Sequence, residues 1–253
     1  MYGDFTMDEA EWLRWNASFQ MSVVLVDAHY VGRSLHLGYN ALRLNAGVVY
    51  QKVIPATAHD DTDEGHGAMA ERAVRLARLR QSGQFRASGE PTLHHLHEVA
   101  GLAVAILLDC VERTPKLRDL ATDDLYACGY LHDIIEDSAT DFEDVEQAAN
   151  PVIAEWVRTL SVDKRMPKMD RDAAYERQIH GAVEAVQIVK LADLLSNLRG
   201  IRGSEDADWI EHYLDTTDRH LTLLRDVLHG TQWFCEAREH IAYWRQWLQK
   251  DRA

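Results

Sequence analysis

The chain has 253 residues, of which 46% are hydrophobic, and a formal net charge of −14 from 27 basic and 41 acidic side chains. This length accommodates one large domain or two small ones around a sizeable buried core. The acidic balance excludes a nucleic-acid coat and a binder of anionic membranes, since both require a basic surface. We therefore expect a soluble protein without nucleic-acid partners, in which an anionic substrate needs a local exception to the overall negative field.

Targeting and redox signals point to the cytoplasm. No apolar stretch is expected to reach the roughly 18 residues of a membrane helix. The apolar run 21–26 is too short for a signal-peptide core, and no basic segment precedes it. The cysteines are odd in number and form no CxxC pair, so neither a disulfide framework nor a zinc–thiolate site is expected: Cys110, Cys128 and Cys235. We predict a cytoplasmic protein with reduced thiols and no membrane contact.

Taken in chain order, the N-terminal section differs from the rest. Segment 7–20 has a helical pattern, whereas the β-branched runs 23–26 and 48–54 predict short strands. Segment 59–67 is acidic and turn-rich; its His and Asp side chains could bind a metal, but an exposed, solvated loop is the favoured interpretation. The predicted units are an N-terminal extension of unknown role, residues 1–65, and a helical domain, residues 66–253.

From about residue 67 the apolar residues recur at helical spacing almost throughout, which predicts an all-α domain. Thr140 and Glu143 have the spacing of a capping box that opens a short helix, and Pro151 suits the first position of the next helix. Further helices are predicted around residues 69–79, 96–110, 122–132, 183–198, 206–229 and 231–249. The tryptophans of the last two helices are interpreted as core anchors: Trp209, Trp233, Trp244 and Trp247.

The segment LHDIIED at 131–137 carries the first candidate chemistry. On a continuous helix Glu136 lies one turn beyond His132, and Asp137 lies one turn beyond Asp133. The imidazole and the first carboxylate suit a divalent cation with open water positions. The second pair of carboxylates suits general-base chemistry on a water molecule. Charged residues at this spacing also occur on solvated helix faces, so the segment alone does not distinguish a metal site from a solvent-exposed helix surface.

Two more segments add to this signal. Asp193 is the one carboxylate in the strongly apolar stretch 186–197, and a buried charge without a partner costs about several kcal/mol. The partner of Asp193 is either a metal ion or, as the simpler alternative, Lys190 or a helix cap. Asn197 lies one turn beyond Asp193 and can face the same pocket. Three histidines stand near the start of another apolar helix, and only one of them need point inward: His94, His95 and His97.

Together these segments resemble the HD-domain phosphohydrolases, and more narrowly the alarmone (p)ppGpp hydrolases of the RelA/SpoT type. Residues 84–100 align without a gap with the entry motif QxRxSGxPYxxHPxxVA, HDIIED matches HDxxED, and KLADLLSN matches KLADxxxN. Residues 157–168 resemble the DDKxLPK stretch of the stand-alone metazoan SpoT homologue. The resemblance covers roughly residues 67–230 and implies an HD-type helical bundle. Because the chain ends where the family's synthetase domain would begin, a bifunctional enzyme is not expected.

The resemblance implies a Mn²⁺-dependent enzyme that removes the 3′-pyrophosphate of ppGpp or pppGpp to give GDP or GTP. Within the alignment, one Mn²⁺ would be bound by His95, His132, Asp133 and Asp193. Glu136 and Asp137 would orient and activate the attacking water. Contacts to the nucleotide would come from Arg86 against the guanine, Asn197 at the ribose or 3′ side, and Lys168, with Lys164 as a weaker candidate, at the pyrophosphate oxygens.

The match to the family has departures. Leu194, Ser196 and Gly200 replace the Arg, His and Thr of KLADRLHNxRTL, and that Thr is associated with ligand phosphate, so Gly200 leaves the exact nucleotide open. The alternatives are an HD phosphohydrolase acting on the NADPH 2′-phosphate or a (d)NTP, a non-catalytic alarmone sensor, and a helical scaffold without metal. The presence of Glu136 and Asp137 favours an enzyme over a sensor. The sequence leaves a homo-oligomer open.

Charge is unevenly distributed along the chain. Residues 158–202 hold nine basic and six acidic side chains, a net charge of +3, which leaves −17 on the other residues. This basic segment runs from the DDKxLPK-like stretch to the end of the KLAD helix. A local positive field there, together with the charge of a metal ion, would attract a polyphosphate against the overall repulsion.

Overall fold

The computed structural model describes residues 38–44, 47–53, 66–87, 89–111, 113–201 and 206–251. Strands β1 (Gly38–Leu44) and β2 (Gly47–Val53) form an antiparallel hairpin whose register runs from Gly38 opposite Val53 to Leu44 opposite Gly47. The predicted strand at 48–54 coincides with β2. The predicted helix at 7–20, the strand at 23–26 and most of the acidic segment 59–67 lie outside the described residues.

The rest of the described chain is helical, which confirms the all-α prediction. In chain order the helices are α1 (His66–Gln81), α2 (Thr92–Val111), α3 (Thr122–Leu131), α4 (Ile134–Asp137), α5 (Phe142–Ala148), α6 (Pro151–Leu160), α7 (Lys168–His180), α8 (Glu184–Gly200), α9 (Ala207–Leu223), α10 (Arg225–Leu228) and α11 (Gln232–Asp251). A 3₁₀ turn at Pro115–Asp119 follows α2. The last two residues of the expected acidic loop, 66 and 67, belong to α1.

The starts of α5 and α6 follow local side-chain chemistry. The Asn150 side chain accepts a hydrogen bond from the Ile153 amide at 2.9 Å, and Pro151 occupies the first position of α6, as predicted. The capping box of α5 lies one residue later than predicted: the Asp141 side chain accepts from the Asp144 amide, and the Asp144 side chain accepts from the Asp141 amide. Sequence periodicity did not predict α7, because this helix is mostly polar.

Helix α2 is the centre of the bundle, with 13 of its 20 residues buried, and it packs mainly against α3 and α8. By length and composition α2 could span a membrane, contrary to the expectation that no stretch would qualify, but 72% of its most apolar 18-residue window is buried inside the protein. At Gly129 in α3 an added Cβ would lie 2.6 Å from the Ala100 Cα. Helices α2 and α3 therefore make backbone contact one turn before His132.

The four C-terminal tryptophans do not all behave as core anchors. Trp233 and Trp244 are buried, and Trp247 packs against the core from a half-buried position. Trp209, in the first turn of α9, is 48% exposed and stacks on Tyr213 with a 5.3 Å centroid separation. The prediction is thus wrong for Trp209, because the neighbouring Ile210, 0% exposed, occupies the buried face of this first turn and Trp209 lies outside that face.

Candidate metal centre

Four of the predicted site residues converge on one point. Within the described part of the chain, His95 of α2, His132 and Asp133 of the α3–α4 junction and Asp193 of α8 each offer one ligand atom, and these atoms all lie within 4.8 Å of one another. His95 Nε2 lies 3.4 Å from Asp193 Oδ1 and 3.9 Å from Asp133 Oδ2. His132 Nε2 lies 3.0 Å from Asp133 Oδ2 and 3.7 Å from Asp193 Oδ1. A buried set of His and Asp side chains at this spacing can bind a divalent cation.

His132 and Asp133, the HD pair, lie at a bend between α3 and α4 and not on a continuous helix. Helix α3 ends at Leu131, Asp133 has φ −102° and ψ 0°, and α4 begins at Ile134. Adjacent residues on one helix point about 100° apart, whereas this bend brings ligand atoms of both His132 and Asp133 into one cluster with Asp193. The predicted one-turn relation holds for Asp137, whose amide donates to the Asp133 carbonyl at 3.0 Å. The predicted continuous helix is interrupted before it, so Glu136 and Asp137 project from a separate short helix.

His132 fits a metal ligand in its own hydrogen bonding. Its ring is 2% exposed, and Nδ1 lies 2.8 Å from the Gly129 carbonyl oxygen. A carbonyl only accepts hydrogen bonds, so Nδ1 carries a proton and Nε2 is the atom that faces the carboxylates. Nε2 is buried without a hydrogen-bond partner, and such orphaned buried atoms are rare. A cation among the carboxylates would satisfy it.

Without a cation, the same carboxylates hold a second proton on this ring. Burial alone would lower the pKa of His132, but the negative charges of Asp133 and Asp193 outweigh burial and raise it to about 10. A metal ligand must be deprotonated, so cation binding displaces that proton.

Asp193 has two kinds of partner at once. Lys190 Nζ lies 2.9 Å from Oδ2, and Asn197 Nδ2 donates to Oδ1 at 2.7 Å, while Oδ1 also faces the two histidines. Burial would raise the pKa of Asp193, but the Lys190 ammonium and the histidines hold it well below its usual range. The Lys190 side chain lies over the Tyr175 ring, 5.3 Å from its centroid. The lysine and the metal were alternative partners in the sequence analysis, whereas the structure gives one carboxylate oxygen to the lysine and leaves the other facing the cluster.

Glu136 and Asp137 are held by the loop that follows α6. Glu136 Oε1 accepts from the Val162 amide at 2.7 Å, and Lys164 Nζ donates to the Glu136 carbonyl at 2.8 Å. The same ammonium lies 3.6 Å from Glu136 Oε2 and 3.4 Å from Asp137 Oδ1. Burial raises the pKa of Glu136, and the Val162 amide and Lys164 offset part of that rise. The side chain of Lys168 lies outside the described residues.

Arg86 and Asn197 reach the cluster together. A tight turn after α1 presents Arg86: its amide donates to the Glu90 carbonyl at 2.9 Å, and Gly89 closes the turn at a φ of +82°, which favours glycine. The Arg86 guanidinium donates to Asn197 Oδ1, and Asn197 in turn donates to Asp193. An added Cβ at Gly200 would lie 3.9 Å from Arg86 Nη1. Three predicted residues therefore form one chain from the surface turn to the cluster.

The basic character of segment 158–202 is weaker in the fold than its composition indicates. Most of its basic side chains that the structure describes have acidic partners within 4.0 Å: Arg158 with Glu155, Lys164 with Glu136 and Asp137, Arg165 with Asp163, Arg171 with Asp172, Lys190 with Asp193, and Arg199 with Glu98 and Glu236. Paired charges leave little long-range field, so the local electrostatics depend on the cluster itself.

Two residues beside the cluster were missed by the sequence analysis. The Ser196 hydroxyl lies 2.9 Å from His95 Nδ1 and donates to Glu98 Oε2 at 2.7 Å. Ser196 was noted only as a departure from the family's histidine. A spacing signal exists for both, because Glu98 follows His95 by three positions and Ser196 follows Asp193 by three, which places each on the same helix face as a candidate ligand.

The chain matches no protein-family model. It is 33% identical over 104 residues to a guanosine-3′,5′-bis(diphosphate) 3′-pyrophosphohydrolase MESH1 of Drosophila melanogaster, covering 40% of this chain and 56% of the relative. The Homo sapiens protein of the same name is 33% identical over 82 residues, covering 32% of this chain and 46% of the relative. The chain thus spans about half the length of these curated relatives.

Two longer matches each cover 70% of this chain. A GTP pyrophosphokinase rsh of Brucella ovis is 28% identical over 182 residues, covering 70% of this chain and 22% of that protein. A solved structure of a metazoan ortholog of SpoT, described as hydrolyzing ppGpp and playing a role in starvation responses, superposes with a TM-score of 0.58 at 22% identity, covering 70% of this chain and 96% of that one. The resemblance to the RelA/SpoT-type alarmone hydrolases that the motifs indicated is confirmed, and 70% of the chain shares the fold of the metazoan SpoT ortholog.

Proposed function

We propose that the protein is a metal-dependent hydrolase that removes the 3′-pyrophosphate of ppGpp and pppGpp, releasing GDP or GTP and pyrophosphate. The observation that carries this proposal is the buried cluster of His95, His132, Asp133 and Asp193 with its orphaned imidazole nitrogen. The similarity to proteins named as guanosine-3′,5′-bis(diphosphate) 3′-pyrophosphohydrolases supports the choice of substrate. The helical domain, residues 66–253, would contain the whole site, with residues 1–65 as an extension.

The ion proposed for the cluster is a single Mn²⁺, held by His95, His132, Asp133 and Asp193. Mixed imidazole and carboxylate ligands suit a borderline divalent cation of this kind. When bound, the cation supplies Lewis-acid polarisation of a phosphoryl group and lowers the pKa of water. Around it, the Asn197 and Lys190 side chains keep Asp193 ionised and oriented, since both bond to its carboxylate.

Glu136 is the proposed general base, with Asp137 helping to orient the attacking water. The Val162 amide fixes one Glu136 oxygen and leaves the other beside Lys164. Its raised pKa makes it a stronger base than an exposed glutamate, while Lys164 keeps that pKa from rising further. The Lys164 ammonium lies beside both carboxylates. It is proposed to meet the pyrophosphate oxygens as the substrate enters, as is Lys168.

Nucleotide binding is proposed at Arg86 and Asn197. In the free protein these side chains bond to each other, so a bound nucleotide would replace that contact with the guanine packed on the Arg86 guanidinium and the ribose against Asn197. A planar guanidinium stacks well on an aromatic base. The nucleotide would be the main partner, in the cytoplasm, and neither nucleic acid nor membrane binding is proposed.

The residue at position 200 supports a second candidate substrate. Gly200 stands where the family pattern has a threonine associated with phosphate, and it offers no side chain toward the nearby Arg86. A different phosphate ester, the NADPH 2′-phosphate or a (d)NTP, is therefore the alternative substrate for the same centre.

The test is incubation of the purified full chain with Mn²⁺ and, separately, ppGpp, NADPH and dGTP, with products separated by anion-exchange chromatography. We expect GDP and pyrophosphate from ppGpp at a rate well above any release from the other two. Pyrophosphate release from ppGpp no faster than from dGTP would overturn the assignment. The variant with both Glu136→Ala and Asp137→Ala should bind Mn²⁺ as the wild type does and lose turnover, and wild-type turnover in it would refute their role.

A further inference from the structure

A line of hydrogen bonds runs away from the metal cluster on the side of His95, and its first link is buried. His95 Nδ1 lies 2.9 Å from Ser196 Oγ, and Ser196 Oγ donates to Glu98 Oε2 at 2.7 Å. The other Glu98 oxygen, Oε1, accepts from Arg199 Nη1 at 3.0 Å. Ser196 is 1% exposed and His95 is 5% exposed, so water does not compete with the first link.

The order of donors in this line follows from the chemistry of its members. Arg199 only donates, and a Glu98 carboxylate paired with it only accepts. Ser196 has a single hydroxyl proton, and it is committed to Glu98. The serine oxygen can therefore only accept from His95, which requires the proton of the neutral imidazole to be on Nδ1.

This assignment leaves His95 Nε2 with its lone pair, 3.4 Å from Asp193 Oδ1 and turned into the cluster. We propose that Ser196 and Glu98 are positioning residues that hold His95 in the one tautomer and ring orientation able to bind the metal. The inference rests on the proposed metal centre and adds to it the means by which one ligand is prepared. His132 is held in the same tautomer by a different partner, because its Nδ1 donates to the Gly129 carbonyl.

Ser196 stands where the RelA/SpoT-type pattern has a histidine. Its hydroxyl both donates and accepts, so it can link an imidazole to a carboxylate in this order. Arg199 fixes the order from the far end, because it also bonds to Glu236, with Nη2 2.6 Å from Oε1. Outer partners of this kind typically change metal affinity by about 10–100-fold when removed.

The decisive variant is Glu98→Gln, which keeps the shape of the side chain. Arg199 can only donate, so the glutamine carbonyl must face it and the amide NH₂ must face Ser196. The serine hydroxyl is then free to donate to His95 Nδ1, which moves the imidazole proton to Nε2, the atom needed by the metal. We expect the affinity of the full chain for Mn²⁺, measured by the electron paramagnetic resonance of free Mn²⁺, to fall about 10-fold or more.

Matched variants separate this effect from general damage. Glu236→Gln removes a carboxylate from the same arginine without touching Ser196, and it should bind Mn²⁺ within about 3-fold of the wild type. Ser196→Ala should weaken binding like Glu98→Gln, and Ser196→Thr, which retains the hydroxyl, should restore it. In the Zn²⁺-loaded protein the His95 Nδ1–H proton should be protected from exchange in the wild type, and this protection should be lost in Ser196→Ala.

The outcomes distinguish this inference from the proposed function. If the wild type binds Mn²⁺ and hydrolyses ppGpp while Glu98→Gln and Ser196→Ala bind the ion as tightly as Glu236→Gln, the positioning role is refuted and the enzyme assignment stands. If the wild type itself does not bind Mn²⁺, the metal centre fails and this inference fails with it.

Discussion

The contact between Gly129 and Ala100 gives the sharpest test of how the fold builds the site. In Gly129→Ala the new Cβ would lie 2.6 Å from the Ala100 Cα, 3.0 Å from its amide nitrogen and 3.3 Å from its Cβ. Carbon atoms prefer separations of about 3.5–4.0 Å, so α2 and α3 must separate by about 1 Å. The first two obstructing atoms are backbone, which cannot rotate away.

Overpacking of this kind typically costs about 1–3 kcal/mol, and backbone obstruction places the expected loss near the upper end. We expect the free energy of unfolding, from urea titrations followed by circular dichroism, to fall by about 3 kcal/mol. Because the Gly129 carbonyl also holds the His132 ring, the same shift should weaken Mn²⁺ binding.

Gly181→Ala is the matched control. An added Cβ there would lie 3.5 Å from the Arg177 carbonyl oxygen, an ordinary contact, and Gly181 has a φ of −85°, which alanine adopts freely. This variant should be unchanged or more stable by about 0.4–1 kcal/mol, since alanine restricts the unfolded chain. A Gly129→Ala protein as stable as the wild type would refute the claim that close helix contact sets the position of His132.

Three further predictions concern charge. Lys190→Met should lower the free energy of unfolding of the metal-free protein by about 3–5 kcal/mol, because it removes a buried partner from Asp193. Urea titration measures this change, and a loss under about 0.5 kcal/mol would contradict the prediction. Lys164→Met should move the acid limb of the kcat/KM profile to higher pH, because the Lys164 ammonium lowers the pKa of Glu136; an unmoved limb would show that Glu136 is not the base. Mn²⁺ binding at pH 7 should release about one proton, because the pKa of metal-free His132 is about 10. Titration calorimetry in buffers of different ionisation enthalpy measures this proton release. A binding heat that does not depend on the buffer would count against His132 as a ligand.

Local patterns were sufficient for most helices, although not for the polar α7, and for all candidate ligands except His95, which the family resemblance selected. The apolar spacing of α2 and α8 follows from the helical period, which any segment expresses without reference to its neighbours. The Asn150–Pro151 start of α6 is equally local, since a cap bonds to amides within its own first turn. The HDIIED and KLAD segments supplied the chemistry of the site in the same way, through residue type and order.

What the sequence could not supply was the meeting of side chains from different helices. The bend at Asp133, the Arg86–Asn197 contact and the Ser196–Glu98 link each depend on how closely two elements approach. The pairing of most basic residues in segment 158–202 is decided in the same way, by which acidic neighbour the fold brings within reach. Sequence by itself therefore determined the helical class, the resemblance and the identity of the candidate metal ligands. Tertiary structure alone decided their orientation and charge state, because both depend on distances between residues far apart in the chain.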